Sequence, residues 1–486
     1  MIKYILVGIL FICWSIGLSQ SNAVQKQIDL FSNSTYFESA SISFEAVDLA
    51  TGHVIASYNP KLAMAPASTV KLFTTATAFL TLGGGYQPET RFYLDGYVDT
   101  LGVLQGNLFI RGGGDPSLGS RFFEKRETVS NFLTDWAKSL IELGIKKING
   151  AVIADGSDFG YNGAPGGWTW ADLGNYYGAG PAGCTLYDNM VYLLFNTGEK
   201  VGDSTHLSCT VPYIPNFELD NYVVSAQSKR DNSYVYGAPY LHSRFITGSL
   251  PAKEEEFEVK ASIPDPEYLL ALELDYALQQ QGVSIAQAPE GYRTFKRRRA
   301  TEDRYDKQPF YSYKGKTLSS VAYHTNMRSV NLFAEQLLCL IPYEKYGVGT
   351  TYKGSEFVTR FWEDKMKAGY RITDGSGLSR NNALSANHFT AMLSYMSASR
   401  FATDFENTLP VAGKSGTLSR VCRGQVAQGR LYAKSGTMSR IKSYAGYVKS
   451  SSGKKIAFAI IVNNYLGSSS NVVRKMEKVF NAMATY

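Results

Sequence analysis

The sequence predicts a mixed α/β protein of two or three domains, and three observations point that way. The chain is 486 residues long, which is more than one hydrophobic core usually organises. Its two ends carry antiparallel strand patterns with helical patterns beside them. Between the ends lies a long stretch of short alternating runs. An apolar fraction of 44% and a charged fraction of 19% are those of a folded globular chain. Tyrosine is abundant, at 33 residues against 26 phenylalanines, which fits β-rich structure and polar-tipped aromatic surfaces.

In chain order, Lys3 and the apolar run Tyr4 to Ile16, followed by small and polar residues through Ala23, read as a secretory leader. The run is short for a membrane span. Cys13 follows Ile12, not the small residue of a lipoprotein processing site. The mature protein is therefore expected to be exported, periplasmic or in the cell envelope, and soluble or loosely attached to membrane or wall. Ser41 to Tyr58 reads as a hairpin turning at Asp48 to Gly52. A helix follows, with Pro66 just ahead of its start and Ser68 in its first turn. Phe92 to Val98, Leu104 to Ile110 and Ile148 to Ala154 read as strands, and Thr128 to Leu143 as a helix. Leu186 to Val259 reads as a small β-domain. Asp265 to Gly282 reads as a helix with Pro266 at its start and Gly282 as its stop. Residues 291–308 form a charged linker, and Leu318 to Leu340 a continuous helical pattern. At the end, Leu431 to Ala433 is a strand candidate. Tyr444 to Val448 and Ile456 to Val462 pair antiparallel, and Val472 to Ala484 is an amphipathic helix.

Some functions are disfavoured. The net charge of +7 is modest, and the basic run Lys296 to Arg299 lies beside Glu302, Asp303 and Asp306, so a solvated linker explains it better than a nucleic-acid site. Five histidines and the cysteine spacing give no metal pattern, and no cofactor motif is present. Cys339 lies in an apolar helical pattern and reads as a buried thiol. Cys184 and Cys209 are near enough in sequence to pair, but spacing does not fix geometry.

The most informative stretch is Ser68-Thr69-Val70-Lys71. Residues three apart share a helix face. A hydroxyl needs an adjacent base to act as a nucleophile, and a lysine amine serves once burial or a nearby cation disfavours its charge. Alone, the motif is common in soluble helices. Two further strings change its weight: Ser329-Val330-Asn331, and Lys434-Ser435-Gly436-Thr437 at the end of a strand. The string Lys-Ser-Gly-Thr also occurs at Lys414. That copy follows Pro410, which disfavours a strand, whereas Lys434 leads into the terminal pair. Lys414-Ser415 does not close a phosphate-binding loop, because Thr408 stands where that loop needs glycine.

With these motifs in this order, the chain resembles the class C low-molecular-mass penicillin-binding proteins, the D-alanyl-D-alanine carboxypeptidase/endopeptidase family of serine peptidase group S13. The resemblance extends to Gly113 to Leu118, Trp168 to Gly180, Asp374 to Arg380 and Leu409 to Gly413. It departs at Ser435, where the family usually has threonine. It implies a β-lactamase/transpeptidase-like core, a central antiparallel sheet flanked by helices, from residues 24–89 and 306–486. It also implies two nested inserted domains rich in β, an outer one from 90–185 and 260–305 and an inner one from 186–259. It implies a serine D,D-peptidase that cuts peptidoglycan stem peptides or their crosslinks and binds β-lactam antibiotics covalently. Ser68 would be the nucleophile, Lys71 its base, and Ser329 a proton relay. Asn331 would hold Lys71 and the substrate amide. Lys434, Ser435, Gly436 and Thr437 would receive the terminal carboxylate, with the N–H groups of Ser68 and Thr437 as oxyanion hole. Asp172 would bind the amino group of a diaminopimelate side chain beside Trp168, Tyr177 and Met438, with Arg380 nearby; a structural loop aspartate explains Asp172 nearly as well. Two alternatives stay open. A serine β-lactamase is disfavoured by the absence of a glutamate deacylation motif and by the large insertion. A non-catalytic wall-binding protein is disfavoured by the complete motifs.

Overall fold

Alternation along Ser41–Asp48 sets the architecture of the N- and C-terminal parts. Successive side chains of a strand point to opposite faces. Here Phe44 and Ala46 join one core, while Ser43 and Glu45 face the other way, into helix Ala386–Ser397. Ser43 Oγ accepts from the Ala386 N–H, and Thr390 Oγ1 donates to Glu45. In the computed structural model, which describes residues 23–298, 308–366 and 369–486, this strand belongs to a five-stranded sheet. Its spatial order is Leu431–Met438, Ile441–Lys449, Lys455–Asn463, Ser41–Asp48 and Val54–Tyr58, with every neighbour antiparallel. Phe44 stands opposite Ile460 and Ala46 opposite Phe458. These residues pack on Val24, Ile28 and Phe31 of a helical stretch over 23–32, and on Val472, Met476, Val479, Phe480 and Met483 of helix Ser469–Thr485. The sheet therefore has helices on both faces.

Contacts divide the chain into two compact units. The first comprises the chain up to Gly84, Ala322–Val330 and Ser355–Tyr486; the second comprises Gly85–Val321 and Asn331–Gly354. In the second unit, Glu89–Val98 and Val103–Arg111 form the centre of a larger sheet that also holds Tyr311–Lys314. Helices Asn131–Glu142 and Pro266–Gln280 pack there through Trp136, Leu140, Leu270 and Leu274. Asp265 caps the second helix by accepting from the Tyr268 N–H, with Pro266 at its first position. Residues 190–262 carry two three-stranded sheets.

Three expectations change, and the open pairing of Cys184 and Cys209 is settled. The strand over Ile148 to Ala154 is two strands, Lys147–Ile148 and Val152–Asp155, parted at Gly150, where a Cβ would lie 2.4 Å from the Gly106 carbonyl oxygen. The helix over Leu318 to Leu340 is two, Leu318–Met327 and Asn331–Tyr346, interrupted where Ser329 adopts a left-handed φ of 62°. Part of the charged linker, Tyr292–Arg298, is helical, tied by Arg293 to Asp265 at 3.4 Å and to the Tyr240 ring; residues 299–307 lie outside the described residues. Cys184 is buried, Cys209 is exposed, and both are free thiols. Cys339 is a buried thiol. The leader lies outside the described residues. Among the described residues no helix is long and apolar enough to cross a membrane.

Phe458 is fully buried between the sheet and the terminal helix, against Phe480. Phe458→Ala is expected to cost about 3–5 kcal/mol, through lost transfer energy and the cavity left behind. A lowered urea midpoint at unchanged m-value checks it.

Candidate active site

Ser68 lies in a one-turn 3₁₀ helix, Ala67–Val70, that runs directly into α-helix Lys71–Leu82. The preceding Ala67 is forced to φ 50°, a conformation that alanine rarely adopts, and this sets the entry of the chain into the turn. Lys71 is fully buried. Its Nζ is 3.1 Å from Ser68 Oγ and donates to the Ser376 carbonyl at 2.7 Å.

That carbonyl is presented by a loop organised around Asp374. Its buried carboxylate accepts from the N–H groups of Gly377 (2.8 Å) and Ser379 (2.6 Å) and from Asn382 Nδ2 (2.7 Å). The adjacent Gly375 carbonyl accepts from Thr74 Oγ1. Gly377, at φ 81°, passes so close to the 3₁₀ turn that a Cβ would lie 2.0 Å from the Ala67 oxygen. The sequence offered Asp374 to Arg380 only as part of a resemblance. The structure makes Asp374 and Ser376 the supports of Lys71.

Lys434 lies on Leu431–Met438, the edge strand of the sheet, with its side chain fully buried. Its Nζ donates to Ser329 Oγ at 2.9 Å and to the Ser435 carbonyl. Ser329 sits in the break after helix Leu318–Met327. That helix is fixed at its end by Asn326 Nδ2, which donates to Thr75 Oγ1 and Thr408 Oγ1. Burial and the nearby charges of Lys71 and Lys442 push the Lys434 amine well below the ordinary lysine range. Two buried amines in one site repel when both are charged, so a neutral amine in the pair is favoured.

The edge strand crosses directly over the serine turn. A Cβ on Gly436 would lie 2.2 Å from Ser443 Oγ, 2.7 Å from the Pro66 oxygen and 3.1 Å from the Ser68 nitrogen. Ser443, opposite Gly436 on the next strand, donates to the Pro66 carbonyl, as does Thr69 Oγ1. Glycine is thus what lets the strand approach. On the other face of the strand, Thr437 is exposed and accepts from Lys442 Nζ at 2.6 Å. Ser435 Oγ donates to Thr417 Oγ1 at 2.9 Å. Thr417 ends the first Lys-Ser-Gly-Thr string, whose Lys414 is exposed in a turn. The two copies therefore touch through hydroxyls, and only the second lies on a strand. Thr417 and Lys442 were missed from sequence. Their signals, a hydroxyl in a rejected motif and a lysine in an apolar strand, are too common to single out.

Of the other candidates in the first unit, Met438 ends the edge strand half-buried, and Arg380 is exposed. In the second unit, Asn331 opens its helix, and its Nδ2 donates to the Tyr177 carbonyl at 2.8 Å. Asp172 closes a capping box on the short helix Trp170–Leu173, accepting from Thr169 N and Oγ1. Burial, then the charge of Asp172, pushes the Tyr177 hydroxyl up to about 12, which places the two side chains near each other. Trp168 is half-buried in the same segment. Among the described residues no His, Cys, Asp and Glu cluster is placed to hold a metal ion.

An amine kept dry beside a serine hydroxyl is the arrangement of serine hydrolases that use lysine where others use histidine. Comparison with known proteins narrows that class. Residues 24–485 match the model of the D-Ala-D-Ala carboxypeptidase 3 (S13) family, and the chain belongs to that family. It is 25% identical over 452 residues to the D-alanyl-D-alanine carboxypeptidase DacB of Haemophilus influenzae, covering 88% of this chain and 86% of that one. It is 28% identical over 461 residues to a D-alanyl-D-alanine carboxypeptidase of Actinomadura sp. (strain R39), covering 91% and 81%. The crystal structure of penicillin binding protein 4 from Haemophilus influenzae superposes with a TM-score of 0.77 at 22% identity, over 92% of this chain and 97% of that one. The fold is thus the one the resemblance implied.

Two outcomes follow from this geometry. Asp374→Ala removes the hydrogen bonds that Gly377, Ser379, Asn382 and Ser376 make to a buried carboxylate and is expected to lower stability by about 3 kcal/mol or more, read from urea unfolding. Burial pushes Lys442 down to about 8. Between that pH and the ordinary lysine value of ~10.4 the unfolded chain binds more protons than the folded one, so Lys442 contributes a stability that rises with pH across this window. The difference between wild type and Lys442→Met in urea midpoint, measured from pH 7 to 10.5, is expected to carry that rise.

Proposed function

We propose that the protein is a serine D,D-peptidase that hydrolyses the D-Ala-D-Ala bond of peptidoglycan stem peptides, D-Ala-diaminopimelate crosslinks, or both, and is acylated by β-lactams. The observation that carries this reading is the buried Lys71 amine 3.1 Å from Ser68 Oγ. Ser68 Oγ attacks the carbonyl of the penultimate D-alanine, and its proton passes to neutral Lys71 Nζ. The oxyanion meets the N–H groups of Ser68 and Thr437, a reading supported by the close approach of Gly436 to the Ser68 nitrogen. As the C–N bond breaks, Ser329, hydrogen-bonded to Lys434, passes a proton to the departing amine of D-alanine. Water then attacks the ester and restores Ser68. Ser435, Thr437 and Lys434 receive the terminal carboxylate. The roles of Asn331, Asp172, Trp168, Tyr177, Met438 and Arg380 remain those the family resemblance assigns.

The inserted segments are read as an outer domain, 90–185 and 260–305, and an inner β-domain, 186–259. The two three-stranded sheets over 190–262 support the second of these. An exported, cell-envelope location is proposed from the leader, and the partners are peptidoglycan peptides and β-lactams.

Labelling with fluorescent penicillin tests the nucleophile. Wild type is expected to be labelled and Ser68→Ala unlabelled, with Lys71→Met acylated at least 10³-fold more slowly. Labelling of Ser68→Ala at the wild-type rate would sink the assignment. Release of D-alanine from a pentapeptide muropeptide by the wild type tests the reaction itself.

A further inference from the structure

Lys442 is a lysine that stability alone does not explain. It stands on the strand Ile441–Lys449, directly opposite Thr437 of the edge strand, and only 8% of it is exposed. A buried ammonium is expensive unless an anion meets it. Among the described residues no carboxylate pairs with Lys442. Its hydrogen bond is to Thr437 Oγ1, it lies over the Tyr444 ring, and burial alone accounts for its lowered basicity. The neighbouring amine of Lys434 likewise bonds, among the described residues, oxygens without formal charge, Ser329 Oγ and the Ser435 carbonyl. Among the described residues, this edge of the sheet therefore holds the Lys442 ammonium with no anion against it.

The hydroxyls define where that anion goes. A threonine hydroxyl has one proton and two lone pairs. Because Thr437 Oγ1 already accepts from an ammonium, its proton is directed away from Lys442, and Thr437 is the residue of the pair that is exposed. Ser435, two residues earlier on the same face, donates its proton to Thr417. Of the two strand hydroxyls, Thr437 is the one left pointing a proton outward, polarised by the cation behind it.

We propose that Lys442 is a positioning residue for substrate specificity: by donating to Thr437 Oγ1 it fixes the Thr437 hydroxyl as a donor to the free C-terminal carboxylate of the D,D-peptide and supplies positive charge behind that bond. This rests on the peptidase reading above, in which the edge strand receives the carboxylate, and adds to it a residue outside the three motifs. The consequence is selective. Substrates ending in a carboxylate gain from Lys442, and those whose end is neutral do not.

The test compares full-length wild type, Lys442→Met and Lys442→Arg on diacetyl-L-lysyl-D-alanyl-D-alanine and its C-terminal amide, reading kcat/KM for each. Lys442→Met keeps the length and apolar stem of the side chain and removes the charge and the donor. It is expected to lose about tenfold or more on the acid while losing less than about threefold on the amide, so that the acid-to-amide ratio collapses. Lys442→Arg is expected to regain most of the ratio. An unchanged ratio in Lys442→Met, an equal loss on both substrates, or an arginine variant no better than methionine overturns the inference. Penicillin labelling of Ser68 and hydrolysis of the acid by wild type separate the two levels. If wild type does both, a failed ratio test removes only the role of Lys442. If wild type does neither, the peptidase reading falls and this inference with it.

Discussion

Everything in this site depends on keeping one lysine dry. In water an amine holds its proton near neutral pH and has nothing to offer a serine hydroxyl. Lys71 is fully buried in the first turn of its helix, and the elements around it exist to sustain that burial. The Asp374 loop closes one side and presents a carbonyl to Nζ. The edge strand closes another, and it comes close enough only because residue 436 has no side chain. Asn326 pins the helix that delivers Ser329 to Lys434. The five-stranded sheet beneath is the rigid body to which these pieces are fastened, and sites built on such elements hold their geometry better than sites on loops.

The parts of the fold that sequence made legible are those whose signal is local. The hairpin at Ser41 follows from alternation and an Asp-to-Gly turn, and the helix at Pro266 follows from its cap. The edge strand was foreseen as far as Ala433, and it runs on to Met438 because the motif itself is strand. Ser68, Lys71, Ser329 and Lys434 were singled out because three short strings occurred in order, and the structure pairs Lys71 with Ser68 and Lys434 with Ser329. What was not legible depends on contacts between distant segments. The apolar spacing from Leu318 to Leu340 continues smoothly across a break that Ser329 makes with a left-handed backbone, since periodicity records which face is buried and not where the backbone turns. Gly150 splits a strand because another backbone lies against it. Asp374 entered only within a stretch of family resemblance, because the backbone and side-chain donors that gather on its carboxylate follow no local pattern.

The repeated string Lys-Ser-Gly-Thr shows how context decides chemistry. Both copies have the same residues in the same order. One follows Pro410, lies in a turn and exposes its lysine; the other lies on a sheet edge and buries its lysine against Ser329. The first copy is still part of the local structure, because its Thr417 takes the proton of Ser435 and leaves Thr437 as the outward donor of the pair. The proline argument that set Lys414 aside concerns only the strand and says nothing of where the string's last hydroxyl ends up.

Three amines, those of Lys71, Lys434 and Lys442, are buried within one unit of a marginally stable fold. Burial works against the charged forms of Lys434 and Lys442, and Lys434 carries the added repulsion of Lys71 and Lys442. A sequence selected for stability alone would replace such groups with apolar residues of similar volume. Their presence makes sense for a site that spends its time without its anion and is completed by one. On the peptidase reading proposed above, the terminal carboxylate of a bound peptide is the anion that offsets this cost.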